Sequence, residues 1–279
     1  ALTTIAACAE PNLSVDGSAR LGVKSSEAAD GTTSTSAINR VRLAFTGSVE
    51  TDMGLEMGAT IRADNAADGN AGTAGSQWIS GSFGKLSMGD LNGADENAVG
   101  DVNGVGVSGL GDYNELSYNS SNHDLGYTMN VGPVSVGMST NTSDISGDNM
   151  ALGATFSMGI MDDTNVAVSI GQSTVGAATQ TSMGAATTVM GVTAGIVMSE
   201  DDNGADAATS ATAISASFDV AGVSATIFQK NVTTVGAIDK SYQGVGVGYN
   251  LGGGSTAKFG VAKDDAGVQQ MDVGISFSF

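Results

Sequence analysis

The chain has 279 residues, ten Lys and Arg against twenty-nine Asp and Glu, a formal net charge of −19 and a sequence pI near 4.1. So acidic a surface cannot displace counterions from phosphate, which excludes general nucleic-acid binding. With one cysteine and one histidine, His123, an internal disulfide and a Cys/His metal cluster are excluded as well. Charged residues make up 14 % and hydrophobic ones 41 %, and 41 glycines are spread along the chain with only two prolines. No linker composition interrupts this pattern, which predicts a single domain.

Residues 1–11 read as an N-terminal extension or signal remnant. Ala7-Cys8-Ala9 has the small-residue spacing of a cleavage site, and Ile5-Ala6-Ala7-Cys8 also fits an acylation site. The plainer reading of Cys8 is a thiol without a role. From Asn12 the period becomes two: Leu13, Val15, Ala19, Leu21 and Val23 oppose Asn12, Ser14, Asp16, Ser18, Arg20 and Lys24. The split returns in Asp52–Arg62, where Met53, Leu55, Met57, Ala59 and Ile61 oppose Glu56, Thr60 and Arg62. It closes the chain in Gln270–Phe279, with Met271, Val273, Ile275, Phe277 and Phe279 against Gln270, Asp272, Ser276 and Ser278. A side-chain period of two is the signature of a pleated strand.

Shorter alternations lie between these, and the connections are of two kinds. Tight-turn chemistry marks Gly84-Lys85, Gly132-Pro133, Asp219–Gly222 and Leu251–Gly254. Polar, acidic stretches at Ser25–Ser36, Asp64–Ser76, Asp90–Gly111, Thr140–Asn149, Ser173–Ala186 and Glu200–Ser210 predict long loops at the other end. In a soluble sandwich the apolar faces would interdigitate across a core about 10 Å thick. Aromatic residues at 5 % and small residues on both faces suit a different solution, in which the apolar face meets lipid and the polar face lines water. The reading is an all-β transmembrane antiparallel barrel over residues 12–279 with about 16 strands, the parity resting on whether Thr187–Glu200 holds two of them.

Particular segments resemble the general diffusion porins of Gram-negative bacteria, above all the alphaproteobacterial, Rhodobacter-type group. They are Leu13–Val23, Asn39–Phe45, Asp52–Ala59, Ile79–Asp90 and the C-terminal Asp272–Phe279. The resemblance covers roughly the first third and the last strand. It implies a homotrimeric, 16-stranded passive diffusion channel in the outer membrane, embedded in lipid and lipopolysaccharide, with a long loop folded into the lumen. Small hydrophilic solutes would pass through it, without a cofactor or covalent chemistry.

Strand parity places Arg20, Lys24, Arg40, Arg42, Arg62 and Lys85 on the polar face of the early strands, with Lys258 on that of a late one. A cation on the lipid face at mid-depth costs about 2–4 kcal/mol, so these side chains are expected to point into water as the basic wall of a constriction. They could instead merely pair with Asp16 and Glu56. By the family's pattern the loop Asp90–Gly111 hangs opposite and offers Asp90, Asp95, Glu96 and Asp101 as an acidic edge; the alternative is a solvated outer loop. Carboxylates facing guanidinium groups across a narrow gap would set an upper solute size, and the excess of acid predicts cation preference.

Asp201-Asp202-Asn203-Gly204 and Asp264-Asp265 could hold Ca²⁺, although neither shows a complete ligand spacing. Gly244-Val245-Gly246-Val247-Gly248 sits within a strand, which fits close backbone approach better than a dinucleotide site. Met53, Met57, Met88 and Met271 follow the apolar parity and read as lipid-facing filler. No nucleophile motif accompanies His123. Two rival readings share part of this pattern: a structural or adhesive Gly/Thr/Asn-rich surface protein without a pore, and a specific uptake channel, for which the aromatic content is meagre.

Overall fold

The computed structural model describes residues 11–66, 69–72, 75–120, 122–143, 148–161, 164–202 and 207–279. The predicted extension up to Glu10, with Cys8, lies outside the described residues, as do Asn203 and Gly204 of one acidic cluster. The strands are β1 (Asn12–Glu27), β2 (Thr33–Glu50), β3 (Glu56–Ala66), β4 (Gly69–Gly72), β5 (Ser76–Gly81) and β6 (Gly84–Leu91). A helix, α1 (Ala94–Val99), follows, and then β7 (His123–Val131), β8 (Val134–Thr140), β9 (Asn149–Met161), β10 (Thr164–Val175) and β11 (Ala178–Val189). The last are β12 (Val192–Asp202), β13 (Thr209–Val220), β14 (Val223–Thr234), β15 (Lys240–Gly252), β16 (Ser255–Lys263) and β17 (Gln269–Ser278).

Neighbours pair antiparallel throughout, and β1 pairs with both β2 and β17, which closes the sheet on itself. Both β4 and β5 pair with β3 and form two halves of one stave, so the seventeen described segments make a barrel of sixteen strands. Closure joins the first and last strands and so removes the two margins of an open sheet, the condition for crossing a bilayer with strands.

The alternation sets which face is which. Leu13, Leu21 and Ile61 are 73 %, 54 % and 57 % exposed on the outside of the barrel, and Met53, Met57, Met88 and Met271 are exposed with them. Leu21 and Ile275 are register partners on that outer surface and are not packed into a dry interior. Lipid supplies the apolar contact that a protein core supplies elsewhere.

One rim carries short turns, among them 82–83, 132–133, 190–191, 221–222 and 253–254. The turn at Met190-Gly191 joins β11 to β12, so Thr187–Glu200 does contain parts of two strands. On the opposite rim the expectation needs correction. Ser173–Ala186 is no long loop; β10 and β11 run through it and meet at a turn at Gly176-Ala177. Ser173, Gln180 and Ser182 are polar because they face inward, not because they are solvated connection. Ser25–Ser36 is likewise mostly strand, with its turn confined to 28–32.

The real long connection joins β6 to β7 and extends past Gly111 to residue 122, taking Tyr113–Asn119 with it. It turns into the barrel. The buried apolar cluster lies here and not between strands: Val102, Val105, Leu110 and Leu116 of the loop pack on Val197, Ala213, Phe228 and Ala262 of β12, β13, β14 and β16. Stretches that are apolar on both faces, such as Ile196-Val197-Met198, therefore mark where the loop covers the wall.

Candidate functional site

The loop follows the inner wall outward from β6 and returns beside itself. Helix α1 lies against β8, β9, β10 and β11. Its first residue is pinned by Ser139, whose Oγ accepts the Ala94 N–H at 2.7 Å. That hydroxyl in turn donates to His123 Nδ1 at 2.6 Å, which leaves Nε2–H to bond the Asn149 side-chain oxygen at 2.6 Å. His123 is therefore a buried positioning group at the root of the loop.

Inward glycines let the loop backbone seat close to the wall. A side chain at Gly153 would overlap the Ala94 carbonyl, and a Cβ on Gly260 would come within 2.5 Å of the Gly106 backbone. Gly246, at the centre of the glycine repeat in β15, faces Val105 of the loop, the close approach that its spacing suggested. Farther along, Asn103 N–H donates to Ser215 Oγ at 3.2 Å and the Asn103 amide to Ser217 at 3.1 Å.

The tip is held by Asp272 of β17. Its carboxylate is 2 % exposed and accepts the Val107 N–H at 3.0 Å, the Ser108 N–H at 2.7 Å and the Ser108 hydroxyl at 2.7 Å. Gly106, at φ +81°, lies so close to this carboxylate that only a residue without a Cβ fits. Next to it Arg20 donates to the Val107 carbonyl at 3.2 Å.

Arg20 opens a cluster of four guanidinium groups. Arg20 and Arg40 are register partners on β1 and β2, and Arg42 is the partner of Asp64 on β3. Asp64 accepts from Arg40 through Nε at 2.9 Å and a terminal nitrogen at 2.5 Å, and from Arg42 Nε at 3.0 Å; Arg62 stands 3.9 Å away. One carboxylate among four cations leaves a net positive wall. A cleft of about 330 Å³ opens there between Arg20, Arg40 and Arg42, Val107, and Ser276 of β17. Among the described residues Arg40, Arg42 and Arg62 pair with Asp64, and none of the arginines pairs with Asp16 or Glu56.

Of the six predicted basic residues, four therefore come together. Lys24 lies farther along β1, opposite Asp272, and Lys85 sits beside the turn at 82–83 with its ammonium 4.6 Å from the centre of the Trp78 ring. Lys258 stays on the inner face of β16, half-buried.

Of the four predicted acids, two stand on the exposed edge of the loop. Glu96 is half-exposed, and burial together with Asp101 and Asp95 raises its pKa. Asp101 is exposed on one side and accepts the Leu116 N–H at 2.7 Å, while burial of its other side, and then Asp112, raises its pKa. Asp95 departs from the expectation: it is fully buried between α1 and the wall, where Ser120 Oγ donates to it, and it cannot face the lumen. Strand parity says nothing about which way a helical turn points. Asp90 belongs to the end of β6 and lines the space beneath α1 beside Asn97 and Ala98.

The sequence reading missed Asp112 and Glu115, both exposed on the returning half of the loop. Glu115 has its pKa raised by burial, then by Asp112 and Asp101. Asp112 lies within electrostatic reach of Arg20. Lys230 was missed as well; it donates to the Glu115 carbonyl at 2.6 Å and covers the Tyr242 ring at 4.9 Å. The sequence pattern puts Asp64 at the start of a loop at Asp64–Ser76, but β3 runs on through it, so it stands two residues from Arg62 on the same face. Guanidinium groups thus gather on β1–β3, where the loop tip reaches them through Val107, and carboxylates gather along the loop itself.

A family model described as Gram-negative porin matches residues 1–269. A porin of Rhodobacter capsulatus is 45 % identical over 58 residues, a match that spans 21 % of this chain and 19 % of that protein. A porin structure refined at 1.8 Å resolution superposes with a TM-score of 0.77 at 23 % identity, covering 96 % of this chain and all of that one. A double mutant of the Rhodopseudomonas blastica porin gives a TM-score of 0.74 at 20 % identity over the same shares. At these identities the structural likeness speaks for the fold alone.

Proposed function

The chain belongs to the Gram-negative porin family, and from that premise we propose that it forms a water-filled channel through which small hydrophilic solutes and ions diffuse down their gradients. The family places it in the outer membrane. The observation that carries the channel reading is the division of the barrel into an outer apolar face, with Leu21 and Ile61 exposed, and an inner face that bears Arg20, Arg40, Arg42 and Arg62, with Arg20 bonded to the tip of the inward loop. Fixed charges of opposite sign across a narrow aqueous gap orient dipolar solutes and exclude large or apolar ones. Nothing in this scheme requires bond making, so the protein acts as a channel and not as an enzyme.

The selectivity we propose is for cations. Asp64 offsets part of the arginine charge, whereas Asp101, Asp112 and Glu115 gather on the opposite edge, in a chain with a net charge of −19. Cations then accumulate at both mouths, and the arginines moderate the preference at the narrowest point. A homotrimer in contact with lipopolysaccharide is part of the same proposal.

Planar-bilayer recording of the purified protein tests these points together. Conductance steps in groups of three, with a reversal potential of the cationic sign in a salt gradient, are the expected outcome. Absence of conductance in a correctly folded, detergent-solubilised barrel would overturn the channel, and an anionic sign would overturn the selectivity alone.

A further inference from the structure

We propose that the constriction loop is seated on a small monovalent cation of the sodium class, bound in a closed compartment by Asp95 Oδ2, Ser173 Oγ and Ser182 Oγ. Three buried oxygens without a hydrogen-bond partner among the described residues belong to α1 and to the strands β10 and β11 that it packs against. Asp95 is 0 % exposed and the two serines are 1 % exposed each.

The glycine between them fixes their proximity. A Cβ built on Gly171 of β10 would lie 2.6 Å from Asp95 Cβ and 2.7 Å from Ser182 Oγ. Ser182 is the register partner of Gly171 on β11, and Ser173 is two residues farther along β10, on the same face. The remaining polar groups nearby are engaged: the Gln180 amide accepts the Asn119 N–H at 3.1 Å and donates to the Ser117 carbonyl at 2.7 Å. Asp95 Oδ1 takes the Ser120 hydroxyl. Among the described residues the recorded ion pairs all belong to Asp64, so no cationic side chain neutralises Asp95.

A buried carboxylate without a counter-charge is strongly disfavoured, and so is a buried hydroxyl without a partner. Hard oxygen ligands of this kind suit alkali or alkaline-earth ions. With a single carboxylate and otherwise neutral oxygens, one positive charge balances the compartment, whereas calcium sites ordinarily gather several carboxylates. A water molecule could bridge two of the oxygens but would leave the charge in place. The ion would tie three parts together: α1 through Asp95, the returning end of the loop through Ser120 bound to the same carboxylate, and the wall through β10 and β11. This inference stands on the loop's seating alone, so its failure would leave the channel reading untouched.

Crystals of the full-length protein soaked in thallium(I) test the site directly, with an anomalous peak expected among the three oxygens and lost in Asp95→Asn. In solution, protease cleavage within residues 92–122 is compared in sodium chloride and in choline chloride at equal ionic strength. Cleavage about fivefold slower in sodium is expected, the factor that follows when salt exceeds the dissociation constant about fourfold. The difference should vanish in Asp95→Asn and in Ser173→Ala/Ser182→Ala, the second variant serving if the first does not assemble. No anomalous peak together with equal cleavage in both salts would overturn the proposal in favour of water only. Protection by millimolar calcium but not by sodium would overturn the monovalent assignment.

Discussion

Asp272 and Val107 stand 165 positions apart in the chain and are joined at the constriction: the carboxylate of the last strand accepts the amide N–H of the loop tip at 3.0 Å with both oxygens. The same residue's carbonyl is taken by Arg20 on the adjacent strand. The seam where the first and last strands close the barrel is thus also where the loop is fastened. Folding of the loop depends on closure, because neither anchor exists on an open sheet.

Asp272→Asn is expected to loosen the tip. The amide retains one acceptor but turns its NH₂ toward the donors of Val107 or Ser108, and charge-assisted bonds to buried groups contribute about 1.5–3 kcal/mol each. Conductance should become noisier and its mean step larger, while heat-modified gel mobility still reports a closed barrel. A step and noise level equal to the wild type would show that the loop does not rely on this anchor.

Gly260→Val tests the wall from the other side. The new side chain would run into Gly106 at the back of the loop tip, which lies 2.5 Å from the position of a Cβ. Overpacking typically costs about 1–3 kcal/mol, and here the loop yields before the barrel does. The expected result is a folded barrel with raised proteolytic sensitivity in residues 101–112. Unchanged sensitivity would mean that the loop lies elsewhere.

The alternation of Leu13, Leu21, Ile61 and Val273 made the barrel and its two faces readable, because the pleat repeats every two residues whatever the rest of the chain does. It also placed Arg20, Arg40, Arg42 and Arg62 in the lumen. It could not pair Asp272 with Val107 or Lys230 with Glu115, since such contacts carry no spacing rule. The same gap misplaced Asp95, which belongs to a helical turn, and turned Ser173–Ala186 into a loop. There the inward Gln180 is polar because the loop backbone at Ser117 and Asn119 bonds to it, and Ser173 and Ser182 are polar although they are buried beneath the loop and not in water.

Charge substitutions should move selectivity in opposite directions. Arg40→Gln with Arg42→Gln leaves Asp64 with Arg62 alone and removes two cations from the wall, so the reversal potential should shift further toward cation preference. Asp112→Asn with Glu115→Gln should shift it back. Both pairs are at least partly exposed, so barrel stability should change by less than about 1 kcal/mol each way. Equal shifts of one sign would contradict an aperture with two opposed edges.

Acid should weaken cation preference earlier than ordinary carboxylates would. Glu96, Asp101 and Glu115 all have raised pKa values, with burial the largest cause in each. The seated loop therefore holds their protons more tightly than the free chain does. By linkage, seating is weakest above the raised values and strengthens as the pH falls through them toward the ordinary carboxylate value, below which the gain is complete. Two trends should then appear over one pH window, lower cation selectivity in reversal-potential measurements and slower proteolysis of the loop. Glu96→Gln with Glu115→Gln should remove most of both, leaving the part due to Asp101. Selectivity that changes only within the ordinary carboxylate range would show that these three groups do not face the permeating ions.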